Sequence, residues 1–196
     1  MMAHHSSKSR GRGTLEGTNL LVAADRAGDH WTVQDAIDHI PTSGANTIFV
    51  DKGDYHEAIT VPGNKAWLTI KGVTGVAEDV VIHNSRAHGM LKPDGTQWGT
   101  EGSAVATFKP HDLIVQDLTI SNTFDPAAHP EINAFETQAV AVAAKGDRQI
   151  YRNVRILGRQ DTLLVKGRRA PPKPGSTSSS ASSEAVSTSS SATPPR

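Results

Sequence analysis

The chain has 196 residues, in which 20 Lys and Arg balance 20 Asp and Glu for a formal net charge of zero. Without a basic excess it has no electrostatic grip on nucleic acid or on an anionic membrane surface, and no apolar run approaches the ~20 residues that span a bilayer. Hydrophobic residues make up only 36%, which predicts that part of the length builds no core, and the absence of cysteine excludes disulfides, thiolate metal sites and a thiol nucleophile together.

Residues 1–18 are polar and mildly basic, with no apolar stretch of the kind a secretory signal carries, and read as a disordered leader. Ordered patterning begins at Asn19. Thr32-Val33-Gln34-Asp35 predicts a capping box in which Thr32 accepts from the backbone and Asp35 returns the bond. Val33, Ala36, Ile37 and Ile40 follow at helical spacing, and Pro41 stops the helix. Everything after it reads as short strands: Thr47–Val50, Ala58–Val61, Trp67–Lys71, Val80–His83, Ala104–Phe108, Leu113–Ile120, Gln138–Ala143, Ile150–Leu157 and Thr162–Val165. Gly, Asn, Asp and Pro separate them, and no second helical stripe lies between.

Leu68-Thr69-Ile70-Lys71-Gly72, Leu118-Thr119-Ile120-Ser121-Asn122 and Val154-Arg155-Ile156-Leu157-Gly158 share an apolar–polar–apolar core closed by Gly or Asn. Their spacing is unequal, so this is no strict tandem repeat. It fits an all-β solenoid whose turns each contribute a strand and whose loops vary in length. On pattern alone a β-sandwich fits equally well.

Several segments resemble one family in order along residues 21–163. Leu21-Val22-Ala23-Ala24-Asp25 with Gly28-Asp29 and the predicted helix resembles the opening of the pectinesterases. Gly53-Asp54-Tyr55-His56-Glu57 is similar to that family's G-x-Y-x-E segment, and Thr100-Glu101-Gly102-Ser103-Ala104 to its T-x-x-S-A block. Gln138-Ala139-Val140-Ala141-Val142, Gly146-Asp147-Arg148 and Leu157-Gly158-Arg159-Gln160-Asp161-Thr162-Leu163 resemble its Q-A-V-A-L, G-D-R and L-G-x-Q-D-T-L elements. The resemblance implies a right-handed parallel β-helix with one N-terminal capping helix, working on methyl-esterified pectin outside the cell with no metal or organic cofactor.

Cleaving a methyl ester through a carboxylate nucleophile needs an attacking carboxylate, a protonated carboxyl for the departing methanol, and amide donors for the oxyanion. By matched position the resemblance makes Asp161 the general acid/base, Gln160 an oxyanion donor, Gln138 a second amide at oxyanion or substrate, and Thr100 a substrate contact. Neighbours in an ideal strand point to opposite faces, so Gln160 and Asp161 share a site only at a bend or strand end. Read without the family, Asp161 caps a turn and Gln138 joins a buried amide ladder. Asp147-Arg148 reads as a turn with a surface ion pair, and the nine histidines lack metal-ligand spacing. Tyr55, Trp67 and Trp98 either pack or stack on sugar rings.

The family carries its nucleophilic aspartate in a D-F-[IV]-F-G motif beyond Q-D-T-L, and supplies an arginine later still. Neither is spelled in this chain, which leaves the family pattern near Gly167 for a Ser/Pro-rich segment, residues 167–196, that reads as a disordered tail. One synonymous coding of Val186 through Thr193, taken in another phase, translates as Val-Asp-Phe-Val-Phe-Gly-Asp, so the tail reads as a frameshift product. Three expectations follow: a pectin methylesterase lineage, a truncated β-helix with at most weak pectin binding and an uncovered last coil, or another β-helix polysaccharide enzyme such as a lyase. The last is disfavoured by the Q-D-T-L match and the lack of clustered carboxylates for calcium.

Overall fold

The computed structural model describes residues 17–167. Apart from Gly17, Thr18 and Gly167, the expected disordered leader and tail lie outside the described residues. In chain order the elements are β1 (Asn19–Val22), α1 (Val33–His39), β2 (Asn46–Val50), β3 (Gly53–His56), β4 (Ile59–Val61), β5 (Leu68–Gly72), β6 (Val80–Asn84), α2 (Gly99–Gly102), β7 (Ala106–Phe108), β8 (Ile114–Asn122), β9 (Val142–Ala144), β10 (Ile150–Leu157) and β11 (Leu163–Val165).

Every strand pair is parallel, which discards the β-sandwich, an antiparallel architecture, and leaves a parallel β-helix. Each coil runs along three sides. Three ladders of inward side chains climb from coil to coil: Ile48, Ile70, Val115 and Tyr151 on the first; Tyr55, Ile82, Ile120 and Ile156 on the second; Ile59, Ala106, Val142 and Leu163 on the third. These residues are the spine of the main core cluster. Alternation explains why they turn inward: β2 and β5 bury every second residue, as a one-sided strand must.

The bend between the first two sides is built differently on successive coils. The second coil breaks into β5 and β6 after Gly72, whereas β8 and β10 run through the bend unbroken. They turn on Asp117 and Asn153, both in the left-handed region at φ 58 and 48, a conformation that Asn and Asp tolerate better than most residues. Asn153 Nδ2 reaches Asp117 Oδ1 at 2.9 Å, coil to coil. With the amide of Gln116 it holds the Asp117 carboxyl below the usual carboxylate range. A Cβ on Gly72 would stand 2.0 Å from the Asp117 carbonyl oxygen, so only glycine fits beneath that turn. The three recurring five-residue strands are therefore not equivalent. Val154 stacks on Leu118 and Ile156 on Ile120, but Leu68 lies on the first side opposite Asn46, because Gly72 marks a different corner from Asn122 and Gly158.

The helix α1 packs against β1, β2 and β4 and closes the first coil. Thr32 Oγ1 accepts from the Asp35 N–H at 3.1 Å, as expected, but no reciprocal bond from the Asp35 carboxylate is made. Glu57 of the G-x-Y-x-E segment does the capping instead, its two oxygens accepting from Val33 N at 2.8 Å and Gln34 N at 2.9 Å. At the other end the buried Lys65 ammonium donates to the carbonyls of Asp38, at 3.1 Å, and Ile40. An anion at the helix start and a cation at its end both oppose the helix dipole favourably. Burial pushes the Glu57 carboxyl above its ordinary value, with the two backbone donors partly offsetting. Tyr55 is 3% exposed and donates to Asp51 O at 2.8 Å, so it is a core residue and no sugar platform.

Two other differences from the sequence expectation have local causes. The strand expected over Gln138–Ala143 forms only at Val142–Ala144; upstream, the Ala139, Val140 and Ala141 N–H groups go to Gln160 O, Ser103 Oγ and Thr162 O in place of a regular ladder. The short α2 has no buried residue, hence no apolar stripe to announce it. Among the described residues no helix is long and apolar enough to cross a membrane.

The Gly146-Asp147-Arg148 turn proves to be a clamp between coils. Arg148 Nε and Nη2 each lie 2.6 Å from an oxygen of Asp112, with Asp147 3.1 Å from Nη1. The Arg148 guanidinium, then His111, holds the Asp112 carboxyl down at about 2, against about 3.9 in an unfolded chain. A depressed folded value means that the pair stabilises the fold above about pH 4 and that this contribution is lost as pH falls towards 2. Asp112→Asn is expected to lower the thermal midpoint at pH 7, with the gap from the parent protein closing by pH 2. Thermal denaturation of both proteins across that range checks it.

Candidate active site

The third side, β4-β7-β9-β11, is approached by two long connections, residues 85–105 and residues 123–141, that meet at one corner of the coil stack. The first carries α2 and Thr100; the second carries Gln138; Gln160 and Asp161 occupy the same corner one coil further on. Buried polar side chains hold these connections together. Asn122, 3% exposed, ends β8 at this corner. Its Nδ2 donates to Arg86 O at 2.8 Å, Val140 O at 3.0 Å and Ser103 O at 3.2 Å. Its Oδ1 accepts from Phe124 N at 3.1 Å and Arg86 N at 3.3 Å. Ser103, also buried, donates to Thr100 O at 2.7 Å and accepts from Val140 N at 3.1 Å. The T-x-x-S-A block thus joins the turn bearing Thr100 to the strip bearing Gln138.

His88 makes the closest link between the expected site residues. Its Nδ1 lies 3.1 Å from Thr100 Oγ1, and its backbone N–H donates to Gln138 O at 2.8 Å. On the next coil Ala139 N donates to Gln160 O at 3.3 Å. The Gln160 Oε1 accepts from Thr137 Oγ1 at 2.8 Å, which leaves its amide nitrogen available as a donor. Gln138 Nε2 donates to Phe135 O at 2.8 Å, and its Oε1 is buried without a partner. An orphaned amide oxygen is costly; the Gln138 Nε2 keeps a second hydrogen beyond the one given to Phe135 O. The expected buried amide ladder at Gln138 does not form.

Asp161 sits at φ 54, two residues before β11, so the chain bends between Gln160 and β11. The Asp161 carboxylate has no hydrogen-bond or ion-pair partner among the described residues and is only partly buried, so it is open to solvent or substrate. Phe135, 85% exposed, stands at the rim. Nothing in its sequence context marked it, nor His88 or Asn122; Asn122 was legible only as the polar end of a strand.

A cavity of about 590 Å³ lies elsewhere, at the far ends of the third-side strands, lined by Lys109, His111, Lys145 and Arg148 among others. Its charges are largely spent on structure: Arg148 on Asp112 and Asp147, and Lys145 on Glu101 at 2.5 Å. Among the described residues no cluster of His, Asp and Glu is arranged to hold a metal ion.

Comparison with known proteins matches the family described as Pectinesterase to residues 19–171. Pectinesterase A of Dickeya chrysanthemi is 38% identical over 145 residues, covering 69% of this chain and 38% of that protein. A solved pectin methylesterase in complex with hexasaccharide VII is 35% identical, with a TM-score of 0.67 over 76% of this chain and 46% of its own. Pectin methylesterase from carrot is 29% identical, with a TM-score of 0.61 over 76% of this chain and 42% of its own. The chain therefore spans less than half the length of these relatives.

Asn122→Ala is expected to cost about 3 kcal/mol of stability, because it orphans several buried backbone groups at once. Urea denaturation measures it; a loss under 1 kcal/mol would show that water replaces the amide at little cost.

Proposed function

This chain belongs to the pectinesterase family, and on that premise we propose that it binds methyl-esterified polygalacturonate at the corner where Thr100, Gln138, Gln160 and Asp161 meet. The observation that carries the proposal is the pair of links made by His88, to Thr100 and to Gln138, with Gln160 on the adjoining coil. Thr100 contacts the sugar, and the amides of Gln160 and Gln138 face the ester oxygen on which negative charge develops. Neutral amides stabilise that charge without dragging the neighbouring acid's pKa down as a lysine would. Asp161 donates a proton to the departing methanol and then takes one from the water that completes hydrolysis. No metal or organic cofactor enters this scheme. The polymer is a wall component, so the working protein acts outside the cell.

Attack on the carbonyl needs a second, ionised carboxylate whose environment holds it apart in pKa from Asp161. The family's motif for that residue is not spelled in the 196 residues. In this proposal these residues hold the ester and carry its acid, while the attacking group belongs to the length of the relatives that the chain does not span. Binding without turnover follows. The chain of 196 residues is expected to bind methyl-esterified oligogalacturonate and to release methanol from esterified pectin no faster than buffer. Gln138→Ala should weaken binding by roughly fivefold, the loss of about one hydrogen bond, with the fold intact. Methanol release that Asp161→Ala abolishes would overturn the division of labour by making the site complete within this chain.

A further inference from the structure

Of the chain's 3 tryptophans, two are covered by cations. Arg26 stands 4.2 Å from the ring centroid of Trp31, and Arg86 4.3 Å from that of Trp98. Among the described residues Trp67 has no such cover and its indole makes no hydrogen bond, although it is 61% exposed. It stands where the chain passes from the third side to the first, between Val61 at the end of β4 and Leu68 at the start of β5. That is the opposite end of the third-side strands from Thr100, Gln138, Gln160 and Asp161.

The backbone of Trp67 is unusual as well. Carried back past the strand starts, the register of β5 on β8 and of β10 on β8 sets Trp67, Asp112 and Arg148 one above another. All three take the left-handed conformation, at φ 59, 55 and 51, which is unfavourable for a bulky residue. For Asp112 and Arg148 the conformation serves the clamp between coils. For Trp67 no bond among the described residues explains it. Its effect is to bring the ring beside Ile114 and Ile150, outward residues paired on adjoining coils. A strained residue without a structural reason points to function.

Trp67, Ile114 and Ile150 wall a hollow of about 320 Å³, at the lower end of the size range of small-molecule pockets. Ile150 is 42% exposed. The charged residues in the wall, Asp112 and Arg148, neutralise each other, and Gln149 turns its amide to Phe108 O and Pro110 O. Arg152, two residues further along β10, does not line the hollow. So small an apolar patch falls far short of the ~800 Å² per partner that a stable protein interface covers, which makes a second copy of the chain a poor fit. An uncharged sugar chain fits better. The flat indole packs on the C–H face of a ring, the isoleucines receive a methyl ester, and the indole N–H is left for a hydroxyl or an ester carbonyl.

The geometry points to Trp67, Ile114 and Ile150 as a second, non-catalytic docking platform for a methyl-esterified stretch of polygalacturonate, on a different corner of the coil stack from the candidate site. A long polymer held at both places gains from effective concentration, so the platform keeps esterified wall polymer at the protein between encounters with the site.

The identity of the polymer rests on the proposed function, but the platform is tested apart from the site. The nitrogen-labelled 196-residue protein is titrated with fully methyl-esterified hexagalacturonate while the indole N–H resonances and the heat of binding are followed, the Trp67 resonance being assigned by its loss in Trp67→Gly. That resonance is expected to move saturably, equally in the parent and in Gln138→Ala, and to respond less to the unesterified hexamer. Ile150→Glu should weaken the response about fivefold, through loss of an aliphatic contact. Trp67→Gly should remove the extra affinity for long esterified pectin with a thermal midpoint no lower than the parent's, because glycine takes this conformation freely. Thermal midpoints confirm folding, and Ile150→Glu decides the matter if Trp67→Gly does not fold. A Trp67 resonance that stays still while heat shows the hexamer binding, or that moves only with Gln138 intact, overturns the platform alone. So does one that responds more to the unesterified hexamer, or that moves on raising protein concentration without sugar. No binding by either measure overturns the proposed function and the platform together.

Discussion

One buried carboxamide holds together the corner at which the two long connections of this molecule meet. Asn122 ends the longest strand, and its side chain is shared among the backbones of Arg86, Ser103, Phe124 and Val140. Those residues belong to two connections that are far apart in sequence and have no regular ladder to join them. In a dry interior each such N–H and C=O must find a partner or cost a large part of a hydrogen bond. A single amide with donors and acceptor in fixed geometry meets that demand and sets where the connections stand. Thr100 and Gln138 take their places from it, through Ser103 and the strip before β9.

The rest of the coil stack is a means of making that corner rigid. Three ladders of aliphatic and tyrosine side chains fill the interior, and parallel strands stack in register on each side from coil to coil. Long insertions can then be hung at one corner without disturbing the others, because closing a longer loop adds little entropy cost once its ends are fixed. Charge is distributed accordingly. Ion pairs such as Asp112 with Arg148 brace the turns at the opposite ends of the third-side strands, whereas the Asp161 carboxylate at the insertion corner has no partner among the described residues. Scaffold and site use the same residue types, and the difference lies in which of them already have partners.

The motifs divided along that same line once their contacts were visible. Glu57 of the G-x-Y-x-E segment caps α1 from another element, and Ser103 of the T-x-x-S-A block is a buried strut. Gly146-Asp147-Arg148 is a clamp; a Cβ on Gly146 would stand 1.9 Å from Pro110 O. Thr100, Gln138, Gln160 and Asp161 are the motif residues left over for the proposed site. The resemblance located these segments correctly without telling struts from site, since both are recurrent for physical reasons and letters do not show who bonds to whom.

Local chemistry was legible from residues 19–166 alone. Alternating apolar residues announced most strands, the Thr32 hydroxyl announced the start of α1, and unequal spacing of the strand pattern announced coils of unequal length. Each of these depends on contacts within a few residues, so sequence carries it directly. The phase of the coils, the role of Asn122, the cap supplied by Glu57 and the pairing of Arg86 with Trp98 depend on partners up to dozens of residues away. Whether Leu68 stacks on one side or another is decided by where Gly72 lets the Asp117 carbonyl approach, and a steric condition of that kind exists only once the coils are laid on one another.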